Sequence, residues 1–252
     1  MRKSQLAAAL ILALAGMLVC PAHRAQAASA SQTSPDVTLA SMAPEQRGDL
    51  LMARGQYLAA ITAYREAPQD AQVLNKMGIA YHHLEAIDLA KKDYEKALLI
   101  RPNYPEAINN LGAAYFAQRN YKKAIRLYRR ALVLLPDSAV IAANLGTAYF
   151  ARGKYKPGLE AYRKAFALDP DVFNNTSQMT VGALSTADRA RQDYCIAELF
   201  AQAGMQDRAI EYLRKAFGEG FSDRNKLMED AVFAKLRQTA QFAQLMAEQK
   251  LH

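Results

Sequence analysis

The sequence predicts an all-helical solenoid of stacked helix pairs, and two observations carry that prediction. Six columns of small, aromatic and proline residues recur at one fixed step, the step from Gly78 to Gly112 and on to Gly146. Each copy of the period also holds two runs with apolar residues at helical spacing, as in Leu111/Tyr115 and Ala124/Tyr128/Ala131. A chain of 252 residues, 51% hydrophobic and 22% charged, is long enough to give such an array a substantial core. With 12 Gly, 9 Pro and 2 Cys it is neither collagenous nor a disulfide scaffold, and the apolar content argues against disorder over most of its length.

The first element is an address. Met1-Arg2-Lys3 is a basic start, Leu6 through Val19 is an unbroken apolar run, and Ala25-Gln26-Ala27 presents the small residues read at cleavage. Together they predict a secretory signal over residues 1–27, too short for the roughly 20 apolar residues of a membrane span. The chain is therefore expected to be exported, to a periplasm or beyond. Cleavage near Ala27 removes Arg2, Lys3 and Arg24, three of the positive charges behind the formal +8. Lipid attachment at Cys20 fits less well, because Met17-Leu18-Val19 lacks the small residue such processing favours before the cysteine. Residues 28–43, rich in Ala, Ser and Thr without an apolar period, read as a flexible tether. Beyond the signal Cys195 is the one thiol. It can form no internal bridge and reads as a small buried hydrophobe.

The array spans residues 44–172. Gly78, Gly112 and Gly146 are 34 apart, as are Tyr81/Tyr115/Tyr149, Tyr94/Tyr128/Tyr162, Ala97/Ala131/Ala165 and Pro102/Pro136/Pro170. Ala90 and Ala124 continue to Gly158. A short copy precedes them, with Pro44 to Ala53 as its first helix, and the Gly78 register resumes early. The small columns let paired helices approach and the tyrosines fill the space beside them. Pro136 stops a second helix, since it cannot donate to the helical ladder and restricts Leu135. Asp70, and Asp137 or Ser138, suit the caps of the helices that follow, and Pro105 suits a first turn. One hairpin exposes half its apolar surface, so neighbours must stack.

These columns resemble the tetratricopeptide repeat, whose pattern places Leu-Gly, Tyr, Ala, an aromatic, Ala and Pro across one period. Met77-Gly78, Leu111-Gly112 and Leu145-Gly146 stand at the Leu-Gly step. The Trp often found near each start is replaced by Leu74, Ile108 and Ala142. The resemblance implies a right-handed superhelix whose concave face is lined by the first helix of each pair. After the array, residues 173–189 read as an inserted connection. Strict continuation would start a fifth copy at Phe173, yet that copy (Ala197, Phe200, Gly204, Ala209, Leu213, Ala216) begins near Ala190. Connections this long are uncommon and either functional or covering. Residues 190–252 hold the fifth pair and C-terminal capping helices, with Ser222-Asp223 as a cap and Phe233, Leu236, Phe242 and Leu245 as the buried stripe.

No nucleophile, phosphate loop, metal or cofactor motif stands out, and the reading is a non-catalytic protein. His82 and His83 are adjacent and point about 100° apart on a helix, unlike the i, i+4 pair of a zinc site. The partner expected is another protein, held as a peptide or helix in the groove; nucleic acid is not expected for an exported chain. The rival reading is a fixed subunit of an envelope secretion, pilus or outer-membrane assembly.

The family's groove positions fall here on Asn75, Lys76, Ile79, His82 and His83, then Asn109, Asn110, Ala113 and Phe116, then Asn144, Thr147 and Phe150. Stacked carboxamides can pair with any peptide backbone, and the Phe column could hold apolar side chains. A clamp for a C-terminal carboxylate is not supported, since Asn75 and Asn109 stand where it would want Lys. Lys122, Lys123, Arg126, Arg129 and Arg130 crowd one second helix without an acid among them. They suit either a weak contact with an anionic surface or protein, or a solvated outer face.

Overall fold

The computed structural model of the chain describes residues 39–174 and 184–248, and among them every regular element is helical. The signal expected over 1–27 lies outside the described residues, as do most of the tether and most of the inserted connection. Residues 39–41 already turn helically and Met42 N–H donates to Leu39 O over 3.3 Å, so the tether expected to reach residue 43 gives way to helix earlier.

Five hairpins follow. They are α1 (Pro44–Ala53) with α2 (Tyr57–Glu66), α3 (Ala71–His83) with α4 (Ile87–Ile100), and α5 (Pro105–Ala117) with α6 (Tyr121–Leu134). Then come α7 (Ala139–Phe150) with α8 (Tyr155–Leu168), and α9 (Thr186–Gln202) with α10 (Gln206–Gly218). From α1 to α8 each helix packs on the next, giving the stacked solenoid that the period predicts.

The pairs close on a glycine–tyrosine contact. Tyr64, Tyr94, Tyr128 and Tyr162 are at most 1% exposed, and each ring lies against a glycine of the preceding helix. A Cβ added at Gly48, Gly78, Gly112 or Gly146 would fall between 2.3 and 2.8 Å from a ring carbon. The fifth pair solves the same packing problem differently, with Ala197 and Leu213 at the matching positions, both fully buried. Gly48 precedes Gly78 by less than one full period and marks the short copy's place in the pattern.

The turn inside each hairpin uses one left-handed residue, at Gly55, Glu85, Arg119, Gly153 and Gly204, with φ between 58° and 77°. Asp70 caps α3, its carboxylate accepting from the Gln72 and Val73 amides at 2.8 Å. Of the two candidates before α7 it is Ser138, not Asp137, whose side chain accepts from Ile141 N–H. Ser185 caps α9 through Asp188 N–H, which starts that helix one turn before the expected Ala190.

Stacking changes sense after α8. Earlier neighbours are antiparallel: Tyr57, opening α2, stacks on His83, closing α3, with ring centroids 4.6 Å apart. By contrast α9 runs parallel to α8. Tyr155 OH donates to Asp188 at their N-terminal ends (3.3 Å), and Phe166 meets Phe200 edge-on near their C-terminal ends (5.3 Å). A parallel neighbour requires the chain to travel back along α8, a helix of about 21 Å at about 1.5 Å per residue. The described residues just after α8 are core: Val172 and Phe173 are buried, the Phe173 ring lies 5.0 Å from that of Tyr162, and Tyr212 OH donates to Phe173 O.

The tail covers the last hairpin. Helices α11 (Arg224–Glu229) and α12 (Ala240–Glu248) and two 3-10 turns bring Leu227, Phe233, Leu236, Phe242 and Leu245 to at most 4% exposure. Phe233 packs edge-on against Tyr194, and Asp223 caps α11 through Lys226 N–H.

Candidate peptide-binding face

The side chains at the predicted groove positions are tied to one another across the stack. Asn144 donates to Asn109 Oδ1 (3.1 Å), Asn109 to Asn110 Oδ1 (3.2 Å) and Asn110 to Asn75 Oδ1 (3.0 Å). The rule continues into the short copy, where Lys76 Nζ donates to Glu45 Oε1 (2.7 Å). In each contact between pairs, the residue two before the helix glycine reaches the residue three before the glycine of the preceding pair. These contacts thus run one position longer than the repeat step. A polar ladder therefore follows the first helices, satisfying amides that burial would otherwise leave unpaired.

This corrects part of the sequence reading. Asn75, Asn144 and Thr147 are 5%, 1% and 0% exposed and do not form an open face. Thr147 hydrogen-bonds Tyr162 OH at 2.8 Å and the Ala143 carbonyl at 3.1 Å. Residues 141–148 of α7 are all buried, and α9 packs against α7 as well as α8. Phe116 and Phe150, both 0% exposed, turn into their own hairpins. Phe116 meets Tyr121 at 5.2 Å, and Phe150 meets Tyr155 at 5.8 Å and Tyr162 at 5.2 Å. Their column faces the following helix, where burying an aromatic ring stabilises more than exposing it. His82 shares that column and is partly buried; burial, then the neighbouring His83, lowers its pKa.

Lys76, Ile79, Asn109, Asn110 and Ala113, on α3 and α5, remain partly exposed on one side. Lys76 is not a free cation, because its ammonium sits 2.7 Å from both Glu45 and Asp49. Burial pulls its pKa down, but the hydrogen bonds and charges of Asp49 and Glu45 outweigh this and hold it above the ordinary lysine value. Asp49 also accepts from Tyr64 OH at 2.7 Å. Sequence reasoning missed these two carboxylates. The signal that would have found them is Gly48, which aligns Glu45 with Asn75.

Away from this face, the five α6 cations are all exposed. A cavity of about 490 Å³ between α8, α9 and the tail is lined by Tyr155, Arg191, Tyr194, Cys195 and Lys226 among others. Its cations lie over rings, Arg191 over Tyr155 at 4.5 Å and Lys226 over Tyr194 at 4.2 Å. Burial, with Glu198 adding, pushes the Cys195 thiol up to about 12, which keeps it protonated and unreactive. Among the described residues no group of three or more His, Cys, Asp or Glu could hold a metal ion, and no helix is long and apolar enough to cross a membrane.

A tetratricopeptide repeat family model matches residues 69–136 and 104–171. No curated protein sequence matches the chain. Among solved structures, pilF of Pseudomonas aeruginosa shares 19% identity with a TM-score of 0.55, over 83% of this chain and 88% of that one. TTC0263, a thermophilic TPR protein of Thermus thermophilus, shares 20% over 78% and 98%, with a TM-score of 0.49. MamA shares 24% over 72% and 96%, with a TM-score of 0.48. The likeness to pilF speaks to the fold and to nothing further.

Proposed function

We propose that this chain, whose residues 69–171 match the tetratricopeptide repeat family model, is a protein–protein interaction module rather than a catalyst and captures an extended segment of a partner on the face shared by α3 and α5. The observation that carries this reading is the pair of partly exposed carboxamides, Asn109 and Asn110, about one turn before partly exposed Ala113 on α5, with partly exposed Ile79 in the same column on α3. A carboxamide offers two N–H donors and two acceptor lone pairs. The ladder engages one donor and one acceptor of Asn110, leaving one of each for a peptide backbone. Ile79 and Ala113 supply the apolar contact between them.

The face is bounded at both ends. Glu45 and Asp49 hold Lys76 at one end, and the buried α7 closes the other. Two carboxylates against one ammonium favour a segment with a basic residue near α1. The export pattern of residues 1–27 supports a cell envelope as the setting for this capture.

Replacing Ala113 with Arg fills the face without touching the ladder, and the same photo-crosslinking residue placed at exposed Lys92 on α4 serves as a surface control. A photo-crosslinking residue at Ile79 should trap the partner, and Ala113→Arg should abolish that product while the melting temperature stays within about 2 °C. Crosslinks that form equally from Lys92, or that survive Ala113→Arg, would replace this reading with a fixed scaffold bound through its outer faces.

A further inference from the structure

The formal charge of the chain is concentrated in one stretch. Residues 107–159 contain nine Lys and Arg and a single acid, Asp137. On α6, Lys122, Arg126, Arg129 and Arg130 follow the i, i+4, i+7, i+8 spacing of one helix face and are all exposed. Together with Arg152, just after α7, they line a cavity of about 430 Å³ whose apolar part is Ile125 and Val133. Val133 is 81% exposed, an apolar side chain left open among these charges. None of the five cations forms an ion pair with a described residue, whereas Lys76, Lys96, Arg163, Arg189 and Arg208 all do. Arg130 is steadied by donating to the Pro102 carbonyl.

We infer that this indentation, on second helix α6 rather than on the first helices that carry the ladder, is a second docking site that takes an acidic segment of a partner protein. The spacing argues for a polypeptide. Lys122, Arg126 and Arg130 are each about 6 Å apart along the helix, close to the roughly 6.7 Å between alternate side chains of an extended strand. Carboxylates at alternate positions would therefore meet one cation each. Arg126, Arg129 and Arg152 offer planar forks that bind carboxylates through two hydrogen bonds. Ile125 and Val133 leave room for one apolar side chain between the charges. The cations line the walls of a recess about 12 Å long, a shape that fits a strand better than the plane of a bilayer.

The probe is a fluorescein-labelled dodecapeptide of alternating Glu and Ser, titrated against the full chain and read by fluorescence anisotropy. Arg126→Glu with Arg129→Glu should weaken binding at least about tenfold, and raising salt from about 50 to about 300 mM should weaken it by a similar factor. Lys92→Glu with Lys164→Glu changes the net charge equally on other second helices and should alter affinity less than about twofold. Circular dichroism checks that each variant keeps its helix content, and Arg126→Gln with Arg129→Gln replaces the reversal if it does not. The inference fails if the wild-type chain does not bind the peptide, or if both double reversals weaken it equally. It fails too if phosphatidylglycerol vesicles or a single-stranded dodecanucleotide bind more tightly than the peptide through the same arginines.

Discussion

Adding one methyl group at Gly78 tests the packing rule on which the whole stack depends. The new Cβ would stand 2.4 Å from Tyr94 Cε1 and 2.6 Å from Cδ1, where carbon atoms prefer about 3.5–4.0 Å. The ring must retreat by roughly 1 Å. It has nowhere to go, being 1% exposed between α3 and α4, so the two helices must part. Overpacking of this size costs about 3 kcal/mol. Alanine returns about 1 kcal/mol through its better helix propensity. The net loss is therefore about 2 kcal/mol, a fall of roughly 4–8 °C in melting temperature for a domain of this size. Tyr94→Leu alone should cost about 3 kcal/mol by leaving a cavity. The double variant reproduces the Ala197–Leu213 solution of the fifth pair, so it should be more stable than the sum of the single effects predicts by at least about 1 kcal/mol. Urea denaturation followed by circular dichroism gives all four stabilities. Strict additivity, or a Gly78→Ala variant as stable as the parent, would refute the close-contact argument.

Other perturbations test separate links. Gly218, closing α10, has nothing within 4 Å of an added Cβ, so Gly218→Ala should raise the unfolding free energy obtained from urea denaturation by up to about 1 kcal/mol. Glu85 holds φ at 58° in a turn where three other copies use Gly; Glu85→Gly should stabilise by about 0.5–1 kcal/mol, and a loss would remove the strain argument. A double-mutant cycle on Asn75 and Asn110 should return a coupling of about 0.5–1.5 kcal/mol, whereas zero coupling would mean the ladder is incidental. Glu198, whose side chain is 12% exposed, is pushed up to about 7 by burial and the adjoining Asp230 carboxylate against the pull of Lys226. The folded chain then holds a proton that the unfolded chain has lost, so stability falls as pH rises from the ordinary carboxylate range through about 7. Glu198→Gln should flatten that fall in a series of thermal melts between pH ~4.5 and ~8, and an unchanged profile would rule out this carboxyl as its source.

Much of the fold was legible because repeat packing leaves a one-dimensional record. Glycine, tyrosine and proline recur wherever a hairpin needs a close approach, a filler and a stop, so the stacked helix pairs follow from the columns. The site was less legible. Asn110 and Asn144 share a column, which suggested stacked side chains all facing a ligand. Their hydrogen bonds instead run diagonally, to Asn75 and Asn109, a relation that exists only once two helices lie side by side. The Phe column misled for a similar reason. A family position names a place on a helix, but whether a ring there meets a groove or the next helix depends on the neighbour, and here Phe116 and Phe150 meet Tyr121 and Tyr155.

By itself the amino-acid order determined the all-helical class, the stacking of helix pairs and the basic stretch on α6, because each rests on patterns written along the chain. The direction of α9 and the burial of α7 were decided by the tertiary structure alone. Each depends on which surfaces meet after a crossover or across a repeat boundary, and the pattern within a single helix carries no term for that.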